Sequence, residues 1–231
     1  MTYPREFTEF ATDDVQTWLS EIADRSTSVE SYRRIMTYLG CELGKRLPFA
    51  TASHEKVLIV ATSEDADYLV TGYINALKEY GIDYKLAIFW NHHYSLPNGS
   101  SVAPITQRFI QNGFDGCSRV VILKSIVSGS CVIRTNLIAL LDSLNIDSIS
   151  DIIIAAPVMY KESEENLKRN FPEAISKKFK FQTFAIDSTR EKNGIVLDGI
   201  GGEVYERLGL ENQPALMQKG YMPELVAQYL R

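Results

Sequence analysis

The chain has 231 residues, 45% of them hydrophobic and 23% charged, which is the balance of a soluble globular protein with one good core or two small ones. Its 24 basic and 29 acidic side chains leave a formal charge of −5, which argues against a broad electrostatic grip on nucleic acid or an anionic membrane. The three cysteines, Cys41, Cys117 and Cys131, are odd in number and widely spaced, so neither a disulfide framework nor a zinc site is expected.

The opening MTYPREFTEF lacks the charged-then-apolar pattern of a leader, and no apolar run approaches a membrane span. A reducing cytoplasm is the expected compartment. The first fifty residues read as a helical arm packed on the remainder. DDVQTWLSEIADR has acids at its start and Val15, Trp18, Leu19 and Ile22 at helical spacing. STSVESYRRIMTYLGCELGKRL follows with Ser/Thr caps and a second stripe of Tyr32, Ile35, Met36, Leu39 and Leu43. From Lys56 the texture changes. KVLIVAT is a short apolar run, as in a strand covered on both faces, and EDADYLVTGYINALKEYG is a helix closed by Gly81. YKLAIFW is a second strand, NHHYSLPNGSSVA a polar loop, and PITQRFIQNG a helix with Pro at its first turn. SRVVIL, SDIIIAAP and FKFQTFAID are further strands, with VIRTNLIALLDSL and ESEENLKRNFP as helices between them. A short helix follows Pro223 in the C-terminal segment. Strands alternating with helices of crossover length predict an α/β fold, a mainly parallel sheet with helices on both faces. Residues 51–231 form that domain. Ligands in such sheets bind at the carboxyl ends of the strands, near a switch in strand order.

The loop after SRVVIL carries the clearest chemistry. Lys124, Ser125, Ser128, Gly129, Ser130 and Cys131 lead into a helix whose first N–H groups are unpaired and whose dipole favours an anion. Gly129 permits close approach of the backbone, the serines add hydroxyls, and Lys124 adds a charge, a set suited to phosphate. The plainer alternative is a strand–helix turn with small capping residues. For Cys131, a helix start lowers a thiol's pKa and admits a nucleophilic role, but no His is near in sequence, and packing in the turn is the favoured reading. His92 and His93 are adjacent with no third ligand in view, so no metal is expected there.

The same loop resembles the ribose-phosphate loop of the type I phosphoribosyltransferases, with Ser128, Gly129, Ser130 and Cys131 where that family has Thr-Gly-Gly-Thr/Ser. Three further stretches are similar, in order, to the uracil phosphoribosyltransferase branch: DRSTSVESYRRIMTYLGCELGKRL, IIIAAPVMYKESEENLKRNFPE and FAIDSTREKNGIVLDGIGGEVYERLGL. The resemblance implies a phosphoribosyltransferase-like fold with a C-terminal hood, a base held near Asp187, Ile195, Gly199, Ile200 and Gly201, and a homodimer or a subunit of a larger complex. It also implies a nucleotide or another phosphorylated small molecule as ligand, and magnesium if transfer from phosphoribosyl pyrophosphate is retained.

Three departures bear on function. The family's acid-containing pair, which binds the ribose hydroxyls, falls on Leu123 and Lys124, and lysine offers only donors. The family's Arg-Ala-Gly, which handles pyrophosphate, is replaced by a loop carrying Glu64, Asp65 and Asp67, which would also serve as ordinary acids at a helix start. In the base segment the expected Asp falls on Gly202, and Ala-Gly-Asp-Arg falls on Glu203, Val204, Tyr205 and Glu206. The expected function is a binding, regulatory or complex-subunit protein that has given up the standard transfer. The alternatives are a diverged enzyme making or using a pyrimidine nucleotide such as UMP, with Glu64, Asp65, Asp67 or Asp198 supplying the acids, and a purely structural partner.

Overall fold

A computed structural model describes residues 5–47, 55–97, 101–190 and 204–230, with the backbone alone of 196–197. The chain opens with a short strand, β1 (Arg5–Phe7), then α1 (Asp13–Ala23) and α2 (Val29–Lys45). Thr12 and Ser28 cap the two helices, their hydroxyls accepting from the N–H groups of Val15 and Ser31. β2 (Lys56–Thr62) runs into α3 (Ser63–Asp65), a π-helical turn (Ala66–Val70) and α4 (Thr71–Glu79). β3 (Asp83–Asn91) follows, with the small hairpin β4 (Tyr94–Ser95) and β5 (Ser101–Val102), then β6 (Ile105–Ile110). Next come β7 (Arg119–Leu123), β8 (Ile126–Val127), α5 (Cys131–Leu141), β9 (Asp151–Tyr160), α6 (Ser163–Arg169) and α7 (Glu173–Ser176). β10 (Phe179–Asp187), the β11 (Thr189–Arg190) and β12 (Val196–Leu197) pair, α8 (Val204–Arg207) and α9 (Glu224–Ala227) complete it.

The main sheet has the order β1-β10-β9-β7-β2-β3-β6, with β8 also paired to β9. The five inner strands are parallel, and β1 and β6 are antiparallel edges. Alternation along each inner strand feeds two cores. Val57, Ile59 and Ala61 face α1, α2 and α4, whereas Leu58 and Val60 face α5 and α6. No helix of the described residues is long and apolar enough to cross a membrane.

Both edge strands of the main sheet differ from their sequence expectation. PITQRFIQNG forms edge strand β6 instead of a helix. Ile105, Phe109 and Ile110 fit a helical stripe over so short a window, but β3 presents an open row of backbone groups, and residues 105–110 satisfy it. β1 lies in a stretch read as part of the helical arm, and it pairs with β10.

The helical layer is set by close backbone contact. A Cβ on Gly40 would fall on the Leu69 carbonyl, and one on Gly72 on the Thr37 carbonyl, so α2 and the helix after β2 touch main chain to main chain. The strand order defines the site. β3 lies on one side of β2, and the next parallel strand, β7, lies on the other. The switch point therefore falls between Thr62 at the end of β2 and Leu123 at the end of β7, where an open α/β sheet binds ligands.

Candidate functional site

A cleft of about 1390 Å³ opens above the strand ends. It exceeds the roughly 300–1,000 Å³ of an ordinary small-molecule pocket and admits a nucleotide-sized ligand. Its floor is the segment from Lys124 to the first turn of α5, and the β4–β5 hairpin and α8 contribute to its walls. α5 is held beneath it by a buried amide pair. Asn91 and Asn136 donate to each other at 2.8 and 3.0 Å, and Asn91 also donates to the Ala103 carbonyl.

Ser128, Gly129, Ser130 and Cys131 all line the cleft at the N-terminus of α5. The Ser130 hydroxyl accepts from the Asn170 amide at 3.0 Å, which leaves its own proton available to a ligand. Cys131 directs its thiol at the Ser101 carbonyl, 3.1 Å away, and burial raises its pKa despite Arg134. The thiol is protonated at neutral pH and fastens the hairpin to α5. Burial thus outweighs the helix start, and the packing reading of Cys131 fits this geometry.

Lys124 has a different role from a free phosphate ligand. Its three ammonium protons are directed to Thr62 Oγ1 at 2.9 Å, Glu64 Oε1 at 3.0 Å and Asp65 Oδ2 at 2.6 Å. Burial alone would depress its pKa, but Asp65 and Glu64 outweigh burial and hold it raised, so the lysine is charged. Asp65 is fully engaged, since its Oδ1 also accepts the Ser125 N–H at 3.0 Å and its Oδ2 the Thr62 hydroxyl at 2.7 Å. The loops after β2 and β7 are therefore clamped together across the switch point by a buried ion cluster. Magnesium takes oxygen ligands, and the carboxylates at these strand ends already surround an ammonium. They do not fit a magnesium ion, and no group of three His, Cys, Asp or Glu able to hold a metal occurs among the described residues.

Asp187 is likewise committed elsewhere. It is fully buried and accepts a two-pronged salt bridge from Arg5, at 2.7 and 2.8 Å, which anchors β1 to β10. Asp187 is not among the described residues that line the cleft. Ile195, Gly199, Ile200 and Gly201, like Asp198, lie outside the described residues. Asp67 ties down the C-terminal segment, accepting from the Tyr221 hydroxyl at 3.2 Å and the Leu225 N–H at 2.9 Å.

The charge that does face the phosphate-type loop comes from residues the sequence reading passed over. Arg190 is exposed, lies over the Tyr160 ring at 5.9 Å, and places its guanidinium 3.6 Å from where a Cβ on Gly129 would stand. Arg134, on the first turn of α5, lines the same cleft. Arg190 was findable as a cation in a loop that follows a strand. Arg134 was hidden inside a helical stripe. Burial, with Lys124 and Arg190 near, pushes His93 below its ordinary range, so it is neutral at pH 7.

The chain is similar in fold to the solved AQ2163 protein from Aquifex aeolicus, at 14% identity and a TM-score of 0.68, over 88% of this chain and 97% of that one. Weaker matches include two adenine phosphoribosyltransferases. The Trypanosoma brucei enzyme, in complex with AMP, pyrophosphate and ribose-5-phosphate, has 12% identity and a TM-score of 0.44, over 85% of this chain and 77% of that one. The Thermoanaerobacter pseudethanolicus enzyme has 15% identity and a TM-score of 0.38, over 65% and 81%. No protein-family profile matches the chain, and no curated protein does.

Proposed function

We propose that this chain is a diverged phosphoribosyltransferase-like protein that binds a phosphorylated small molecule in the cleft and does not carry out the standard transfer. The phosphate sits at the N-terminus of α5, taking N–H groups of the Ser128–Cys131 turn, the serine hydroxyls and the Arg190 guanidinium. The sequence resemblance supplies the parentage, and with it a cytoplasmic homodimer or complex subunit as the working form.

One observation carries the loss of transfer. Transfer from phosphoribosyl pyrophosphate needs carboxylates on the ribose hydroxyls and a magnesium-bound leaving group, so that negative charge developing on pyrophosphate is met as the sugar gains oxocarbenium character. At the switch point Asp65 and Glu64 are instead paired with the Lys124 ammonium, at 2.6 and 3.0 Å.

Isothermal titration with ribose 5-phosphate, UMP and phosphoribosyl pyrophosphate, each with and without magnesium, tests the reading alongside a pyrophosphate-release assay with uracil. The expected result is magnesium-independent binding of phosphate esters, lost in Arg190→Ala, with no release. Uracil-dependent release at ordinary enzyme rates would overturn it.

A further inference from the structure

The cleft has two poles. One is cationic, formed by the α5 N-terminus, Arg190 and Arg134. The other is the carboxylate of Glu64, which lines the cleft beside Ser125 and Tyr205. The structure sorts the acids near the strand ends. Asp65 has both oxygens engaged by Thr62, Lys124 and Ser125. Asp67 has both engaged by Tyr221 and Leu225. Glu64 gives Oε1 to Lys124 and no hydrogen bond is made to its Oε2 among the described residues. The residue is only 6% exposed, and it borders both the cleft and a small cavity beside Tyr32 and Met36.

A second unmatched group lies beside it. Ser125, which borders both the cleft and the small cavity beside Tyr32 and Met36, is 1% exposed, and its hydroxyl has no hydrogen-bond partner among the described residues. A buried hydroxyl left unmatched is uncommon and costly unless another group completes it.

Resting on the phosphate-binding reading above, we propose that Glu64 is the residue that recognises the body of the ligand: its free carboxylate oxygen accepts a hydrogen bond from a sugar hydroxyl of a phosphate monoester anchored on the α5 N-terminus. Lys124 acts as a positioning residue that orients the carboxylate. A neutral hydroxyl suits this acceptor better than an ammonium does, because Lys124 already stands 3.0 Å from Glu64 and would repel a second cation. The acceptor thus comes from the loop after β2, across the switch point from the loop that carries the phosphate.

Titrations with inorganic phosphate, ribose 5-phosphate, 2-deoxyribose 5-phosphate and the pair glucose 6-phosphate and glucosamine 6-phosphate test this on wild type, Glu64→Gln and Glu64→Ala. Hydrogen bonds to charged acceptors set the scale, so wild type should prefer ribose 5-phosphate to inorganic phosphate by about tenfold to a hundredfold. Glu64→Ala should erase that preference while inorganic phosphate binds as before. Glu64→Gln, which keeps the shape and the contact to Lys124, should show an intermediate loss and serves if the alanine variant folds poorly. Ribose 5-phosphate binding that needs Arg190 but is indifferent to both Glu64 variants would overturn this inference alone. A preference for glucosamine 6-phosphate would overturn the hydroxyl assignment. Failure of every phosphate ester to bind wild type would overturn the phosphate site and this inference together.

Discussion

Replacing Lys124 with Met distinguishes a buried clamp from a free ligand-binding cation. The substitution keeps most of the stem and removes the charge. At an effective dielectric of about 20, attraction at the observed 2.6 Å to Asp65 is about 6 kcal/mol before desolvation is subtracted, and the 3.0 Å contact to Glu64 adds slightly less. Desolvation cancels part of this, and breaking a buried pair by removing one partner costs about 3–5 kcal/mol. Asp65 keeps its bonds from Thr62 and Ser125, which favours the lower end. For a domain of this length each kcal/mol moves the midpoint by about 2–4 °C, so thermal unfolding should fall by about 6–20 °C.

The pH dependence has a definite sign. In wild type the raised Lys124 pKa gives stability that is intact below the unfolded lysine value and is lost only as pH rises through the folded one. Lys124→Met lacks that contribution, so its deficit relative to wild type should persist through neutral pH and narrow only as pH rises above the ordinary lysine value. Adding Asp65→Asn to Lys124→Met should recover part of the loss. A midpoint within about 2 °C of wild type, or strictly additive effects of the two substitutions, would refute the clamp.

Gly72→Ala should prevent stable folding, read as loss of the cooperative thermal transition, because its Cβ meets the Thr37 carbonyl of α2. Arg5→Ala and Asp187→Ala should each destabilise by about 3–5 kcal/mol in urea titrations, and the double variant should lose less than their sum, since the single variants strand a buried charge. Native protein should react slowly with iodoacetamide at pH 7, because burial pushes Cys117 up to about 11 and also raises Cys41 and Cys131, and labelling should accelerate sharply in urea.

Much of the scaffold was legible because its determinants are local. KVLIVAT, RVVIL and the strand over 151–160 are largely buried on both faces, and KVLIVAT reads as a nearly continuous apolar run. The turn at 128–131 was legible for the same reason, as small residues between a strand and a helix. Residues whose roles depend on distant partners were not. Lys124 reads as a free cation until Glu64 and Asp65, some sixty positions earlier, are brought against it. Asp187 reads as a site acid until Arg5 reaches it from the other end of the chain. β6 reads as a helix because its hydrophobic spacing is ambiguous over six residues, and only the open edge of β3 decides the matter.

Two departures that look independent along the chain are one event in space. The resemblance places a cation after the first core strand and an acid after the third, and here Glu64 and Asp65 stand after β2 and Lys124 after β7. Either reversal alone would set like charges against each other at the switch point, or leave a buried charge unpaired. Both together give a neutralising pair whose excess carboxylate is met by Thr62 and Ser125. Stability therefore couples the two positions, and an acid introduced at 124 alone would place a third carboxylate beside Asp65 and Glu64. On the proposed parentage, transfer chemistry would require both loops to change at once, whereas the α5 N-terminus takes no part in the clamp and is the place proposed for a phosphate.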